Sequence, residues 1–358
     1  MTTALPHRIL VRSDRIVLGL AAALCVLAGL AHYGGWNTTV AFVVSAAAVA
    51  VLASLVGRSV DQLGDRFGPG ATGVLQSALG NLPELFISIF ALKAGLDSVV
   101  RSALVGSILA NLLLVLGLAF LVGGLRNGTQ QLGSERARTL SVLMLLSVVA
   151  MAFPSLAHWV HSPAQDHEKA FSTIVSIILI AVFVLSLPFS LRRDTQGASP
   201  EAEPPRWPIA LAIGMLAASG ALAAFVSDWF VAALQPAMES LNISQAFAGL
   251  VVVAIAGNAV ENVVGVQLAA RGNSEYAFSV VLNSPLQISL VLAPVLVLIS
   301  TIFGLGSLTL VFSPLLVAAL LAAVILAALI SVDGESTWLE GATLIALYVV
   351  IATSFWWG

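Results

Sequence analysis

The sequence predicts an all-α polytopic membrane protein with about eleven transmembrane helices, one N-terminal helix followed by two inverted five-helix repeats. Three observations carry this reading. Of 358 residues, 59% are hydrophobic and 9% charged, and the mean hydropathy is +1.02, whereas a soluble domain of this size needs a wetter surface. Apolar runs of about twenty residues, the length a bilayer demands, recur from end to end. A polar motif, Gly-Asn-x-x-Glu, lies inside two of those runs, as "GNLPE" from Gly80 and "GNAVE" from Gly257.

The runs fall near 15–35, 38–57, 71–95, 99–123, 138–158, 168–190, 207–230, 244–270, 276–303, 313–331 and 338–357. They divide the chain into an N-terminal segment with the first helix (1–36), a first repeat (37–191), a linker (192–206) and a second repeat (207–358). The opening arginines and the apolar stretch ending "LAGLAHY" resemble a signal peptide, but the apolar part is long enough to span and reads as a retained first helix. With the N-terminus inside, the cytoplasmic segments collect twelve arginines and the external ones only Lys93, Arg101 and Lys169, which predicts a cytoplasmic N-terminus and an external C-terminus. A bacterial-type inner membrane suits this pattern. "RRDTQGASPEAEPPR" at 192–206 is the most polar stretch and reads as a flexible cytoplasmic connection. The single cysteine, Cys25, excludes an internal disulfide framework. A net charge of −3 with no basic stripe excludes nucleic acid as a partner, and the absence of a phosphate-binding loop leaves ATP-driven pumping without support.

The offset of 177 residues that carries Gly80 to Gly257 also carries Asn81, Glu84 and Gly95 to Asn258, Glu261 and Gly272, and Ser102 and Ser107 to Ser279 and Ser284. The matches concentrate on polar residues, the least probable coincidences in an apolar sequence. Five crossings separate the copies, so the second enters the membrane from the opposite side. Inverted repeats of this kind place a substrate site at the midplane, where interrupted helices meet.

A charge at membrane depth costs several kcal/mol and marks function by default. Glu84 and Glu261 are the only carboxylates predicted near a helix centre. Positions i and i+3 share a helix face, which sets Asn81 beside Glu84 and Asn258 beside Glu261. Pro83 lacks an N–H and clashes with the carbonyl four residues earlier, freeing the Leu79 oxygen next to Gly80. The second copy has Val260 in place of Pro83 and is expected to be less kinked. Two carboxylates, two Asn oxygens and one or more backbone carbonyls form an all-oxygen set suited to Ca²⁺, less so to Mg²⁺, and lacking the His or Cys that Zn²⁺ and Cu²⁺ favour. Two buried glutamates disfavour a doubly charged empty site. One Ca²⁺ or protons can neutralise it, so the two compete for the same oxygens and exchange follows.

"GNLPELFISIFALKAG", "VGSILANLLLVLGLAFLVGG" at 105–124, "GNAVENVVGVQLAARG" and "NSPLQISLVLAPVLV" at 283–297 resemble the calcium/proton exchanger family of the calcium/cation antiporter superfamily, over roughly residues 38–303. The resemblance implies that Glu84 and Glu261 bind both Ca²⁺ and H⁺, with Asn81 and Asn258 beside them. It implies too that Ser107, Asn111, Ser284 and Gln287 line the same cavity, with Asn262 and Asn283 in it. The chain departs from the family pattern in Asn262 where His is usual, in Asn283-Ser284 where Gly-Ser is usual, and in Pro83 and Pro285 where small residues are common. Of the acidic segment that often joins the halves, only Glu201 and Glu203 remain.

The expected function is therefore secondary transport exchanging Ca²⁺ for H⁺, with no enzymatic activity and no cofactor, Ca²⁺ being the transported substrate. A monovalent Na⁺ or K⁺ antiporter on the same fold stays open because of Asn262 and Asn283, and an intramembrane enzyme stays as a remote third. Asp61 and Asp65 near Arg58 and Arg66, and Glu239 close to the repeat-equivalent position, read as rim salt bridges or as a cation funnel at each mouth. "HWVHSPAQDHEK" at 158–169 groups three histidines with Asp166 and Glu168, a weak candidate for a transition metal. Trp356 and Trp357 read as an interfacial belt. Oligomeric state is not legible; a homo-oligomer stays open.

Overall fold

The computed structural model describes residues 9–67, 75–76, 78–132, 135–194 and 206–357. Twelve helices are labelled in chain order. They are α1 (Arg12–Tyr33), α2 (Thr38–Phe67), α3 (Leu82–Lys93), α4 (Asp97–Asn127), α5 (Glu135–Trp159), α6 (Glu168–Asp194), α7 (Ile209–Leu241), α8 (Gln245–Gly257), α9 (Ala259–Ala270), α10 (Ser274–Phe303), α11 (Pro314–Asp333) and α12 (Trp338–Ser354). Among the described residues, eight helices are long and apolar enough to cross a membrane, and α8 and α12 are shorter apolar helices. Helical residues 75–76 and 78–79 precede α3, and α8 precedes α9, so each pair accounts for one predicted run. Among the described residues, all eleven runs are helical.

The repeat is written in the backbone. α3 and α9 begin and end at positions that differ by the same offset of 177, Leu82 to Ala259 and Lys93 to Ala270. Gly95 and Gly272, which close these two helices, both take positive φ (74° and 83°), a conformation that favours glycine. α4 and α10 each contain a π-helical stretch at matching places, Ala110–Val115 and Ile288–Leu292, and α8 contains a third, Ala248–Val253. Nothing in the residue pattern predicts these stretches; π-bulges gather at functional sites.

Two compact units are present. The first comprises Met1–Phe90 with Val184–Ser240, the second Ala91–Phe183 with Leu241–Gly358. In the first, α1 packs along α2, the Phe42 and Phe230 rings stack at 5.2 Å between α2 and α7, and Trp229 stacks on His32. In the second, α4 is the centre: 78% of its apolar window is buried, against 22% for α6, so α4 is apolar all round and α6 retains a broad outer face for lipid. α8 and α12 pack on the two ends of α4, α9 lies against α4 and α10, and α5 against α10 and α11. A two-residue antiparallel bridge, β1 (Gln130–Gln131) with β2 (Glu335–Ser336), ties the turn after α4 to the turn before α12.

Several boundaries correct the sequence reading. α2 runs ten residues past its apolar stretch to Phe67, and α7 extends to Leu241 rather than 230, because hydropathy marks membrane thickness and not the end of hydrogen bonding. Asp61 therefore lies within a helix, and Asp228, which the apolar runs left near an end, is exposed and well inside α7. Of the linker, residues 195–205 lie outside the described residues, as do residues 68–70 and, in the third run, 71–74 and 77.

Candidate functional site

The first interrupted helix breaks at Gly80–Asn81. Gly80 N–H still bonds the Gln76 carbonyl at 2.8 Å, and a Cβ on Gly80 would lie 2.5 Å from that oxygen, so only glycine fits the end of the first arm. α3 restarts at Leu82, with Leu85 N–H bonded to the Asn81 carbonyl. Pro83 is thus the second residue of a new helix, where its missing N–H has no intrahelical acceptor to lose. The expected proline kink is instead a full break, and the half-buried Leu79 sits in the last turn before it, where carbonyls lack helical partners.

The second interrupted helix breaks at Asn258 alone (φ −94°, ψ 19°). The interruption is one residue rather than two, at the repeat-equivalent asparagine and without a proline. Glu84 and Glu261 each occupy the third position of the helix that follows, α3 and α9, where the positive end of the helix dipole favours a carboxylate. Glu84 is 6% exposed and Asn81 8%. The side chains of Glu261 and Asn262 lie outside the described residues.

Around Asn258 the second unit builds a buried network. Ser107 and Asn111, one turn apart on α4, and Ser284 on α10 converge on its amide. Asn258 Nδ2 donates to Ser107 Oγ (2.9 Å) and to the Ala254 carbonyl (2.9 Å), while its Oδ1 accepts from Asn111 Nδ2 (3.1 Å) and Ser284 Oγ (3.3 Å). Asn111 Nδ2 also reaches the Ser107 carbonyl (2.9 Å) and Ser284 Oγ (3.2 Å). Among the described residues, Asn111 Oδ1 is buried without a hydrogen-bond partner, and so is Asn81 Nδ2. A buried orphan polar atom costs about 1–3 kcal/mol, so Asn111 offers an acceptor suited to a cation. Gln287, one turn beyond Ser284, is also buried, whereas Asn283 is half-buried on another face.

Backbone contact makes this convergence possible. A Cβ on Gly106 would lie 2.2 Å from the Leu250 carbonyl oxygen, and one on Gly249 would lie 2.3 Å from that of Val99. α4 and α8 thus meet glycine to backbone, immediately beside Ser107.

Asp61 and Glu239 are exposed, and the Asp65 side chain lies outside the described residues. Arg58 pairs with Asp14 of α1 at 2.8 Å, and the Arg66 guanidinium bonds the Trp207 carbonyl. His158 pairs with Glu168 (2.5 Å) and His161 bonds Gln165 (2.7 Å). Among the described residues no three His, Cys, Asp or Glu side chains gather as a metal group. The Asp14–Arg58–Trp207 knot was missed by sequence reasoning. Its signals are an acid at the head of the first helix and a tryptophan directly after the linker.

The sodium/calcium exchanger protein family model matches residues 37–192 and 211–357. A Bacillus subtilis protein named Ca(2+)/H(+) antiporter ChaA is 36% identical over 353 residues, covering 96% of this chain and 99% of that one. A Synechocystis sp. protein named Ca(2+)/H(+) antiporter is 34% identical over 352 residues, covering 92% and 94%. The solved structure of native YfkE superposes with a TM-score of 0.82 at 34% identity, covering 95% of this chain and 99% of that one. Matched along nearly its whole length, the chain belongs to the sodium/calcium exchanger protein family.

Proposed function

We propose that this chain is a secondary transporter exchanging Ca²⁺ for H⁺, with both Glu84 and Glu261 serving each exchange cycle and the proton gradient driving Ca²⁺ out of the cytoplasm. The observation that carries the reading is the repeated placement of a glutamate at the third position of a helix that restarts after an asparagine break. Broken helices supply what a cation and a proton need in apolar surroundings: carbonyl-bearing helix ends for the ion and carboxylates that either ligand can neutralise. Relatives named Ca(2+)/H(+) antiporter, covered over nearly their whole length, support the same substrates.

In detail, Asn81, Asn258 and the Leu79 carbonyl add neutral oxygens to the carboxylates. Ser107, Asn111, Ser284 and Gln287 line the passage, and alternating access of the inverted repeats presents the ion to one side at a time. The N-terminus is cytoplasmic and the C-terminus external.

Uptake of radiolabelled Ca²⁺ into everted vesicles under an imposed pH gradient tests this. Glu84→Gln and Glu261→Gln should each abolish uptake while the protein remains in the membrane. Sustained uptake in either variant overturns the two-carboxylate cycle. Dissipation of the gradient by Na⁺ or K⁺, but not by Ca²⁺, overturns the choice of substrate.

A further inference from the structure

Trp207, the first residue after the linker, is 1% exposed, and all three of its polar groups are held within the first unit. Its backbone N–H donates to Gln62 Oε1 (2.9 Å), its carbonyl accepts from the Arg66 guanidinium, and its indole N–H donates to Asp14 Oδ2 (3.4 Å). Asp14 is itself 2% exposed, and its two oxygens also accept from Arg58 (2.8 Å) and from the Val11 N–H (3.1 Å). A buried carboxylate requires such pairing. α1, α2 and the approach to α7 are therefore fastened at one point.

The ring continues the connection. Trp207 packs with Leu63 and Ala212, and Leu75, Met215 and Leu216 close the cluster. Leu75 is the first described residue of the first arm of the interrupted helix, four residues before the last helical residue ahead of Gly80. Beyond the break, Leu82 Cδ1 is 3.8 Å from where a Cβ on Gly220 of α7 would be. The first arm thus packs against the cluster that holds the Trp207 ring and Ala212 of α7, and the residue that follows Asn81 rests on α7.

We propose that Trp207 is a positioning residue for Glu84: held by Asp14, Gln62 and Arg66, it fixes the first arm against α7 and so sets how the Gly80–Asn81 break presents the carboxylate. The proposal deepens the Ca²⁺/H⁺ reading and rests on it for its functional consequence, though not for its geometry.

The test uses the full chain in a Cys25→Ser background, which leaves no other thiol, with Gln76→Cys as a reporter on the first arm. Maleimide labelling of that cysteine and the KM and pH profile of Ca²⁺ uptake are measured, the uptake without the reporter. Trp207→Ala should speed labelling, raise KM by roughly three- to tenfold and displace the pH profile. Trp207→Phe, which keeps a ring and loses one donor, should restore most of each. If Trp207→Ala does not fold, Asp14→Asn carries the test, since it removes the charge and keeps the shape. Phe230→Leu, in the same unit but in the Phe42 stack, should lower thermal stability and move none of the three readouts. Unchanged labelling and KM in the folded variants, or equal changes in Phe230→Leu, overturn the proposal. Faster labelling in a protein whose parent does not exchange Ca²⁺ would sink the transport reading and leave the anchor standing.

Discussion

The two Gly-Asn breaks share a sequence motif and a helical position, yet their asparagines are held differently. Asn258 has both amide hydrogens and its oxygen engaged by Ser107, Ala254, Asn111 and Ser284, whereas Asn81 Nδ2 has no hydrogen-bond partner among the described residues and sits in a unit where apolar packing surrounds the first arm. One half is preorganised by polar bonds, the other by a tryptophan anchor and the α7 surface. A repeated motif therefore does not imply repeated support. The glycines that let α4 approach α8, Gly106 and Gly249, have Asn283 and Thr72 at the repeat-equivalent positions, so this close approach is written into one copy only.

The sharpest way to break the comparison is to remove each asparagine. Asn258→Ala takes a bond from four buried groups, Ser107, Ala254, Asn111 and Ser284, of which Ala254, Asn111 and Ser284 keep another, and should cost about 3 kcal/mol of stability, since an orphaned group costs on the order of 1–3 kcal/mol. Asn81→Ala should cost much less while still impairing Ca²⁺ uptake. Thermal unfolding in detergent, read beside transport, checks both; equal losses of stability would show that the halves are supported alike. Next in size, Gly106→Ala forces a methyl into a backbone carbonyl that cannot rotate away, so a loss of about 1–3 kcal/mol is expected, together with weakened transport as Ser107 is pushed from Asn258. Gly220→Ala in the first unit meets only Leu82 at ordinary contact distance and should be nearly silent in the same assay.

Much of this was legible in the sequence, and the reason is physical. Membrane thickness fixes run length, so eleven helices could be placed from hydropathy alone, and the cost of polar groups in lipid made Glu84, Asn81 and their copies conspicuous. Ser107 and Ser284 were found through the repeat. The fourth member, Asn111, has Ile288 at the equivalent position, so symmetry could not point to it. The π-helical stretches escaped because one extra residue per turn leaves no mark on a uniformly apolar run. The Trp207 anchor escaped for the opposite reason: Asp14, Arg58 and Gln62 look like ordinary residues at a wet helix end until the fold buries Asp14 and joins Arg58 to it and Gln62 to Trp207.

The smallest effects should come from the hydroxyls, and they test whether the network around Asn258 is a unit or a set of pairs. Ser284→Ala removes a donor to Asn258 Oδ1, but Asn111 Nδ2 still bonds that oxygen, so about 1 kcal/mol or less should be lost. Ser107→Ala takes away the acceptor of one Asn258 amide hydrogen; the neighbouring Ala254 carbonyl accepts the other, so one buried donor is orphaned and the loss should be the greater of the two. If the amide is held cooperatively, the double variant should lose less than the two single losses combined, because releasing one side already lets the Asn258 side chain turn. Additive losses would instead mean that Asn258 is fixed by its own backbone at the break, through the Ala254 carbonyl that accepts from both its N–H and its Nδ2.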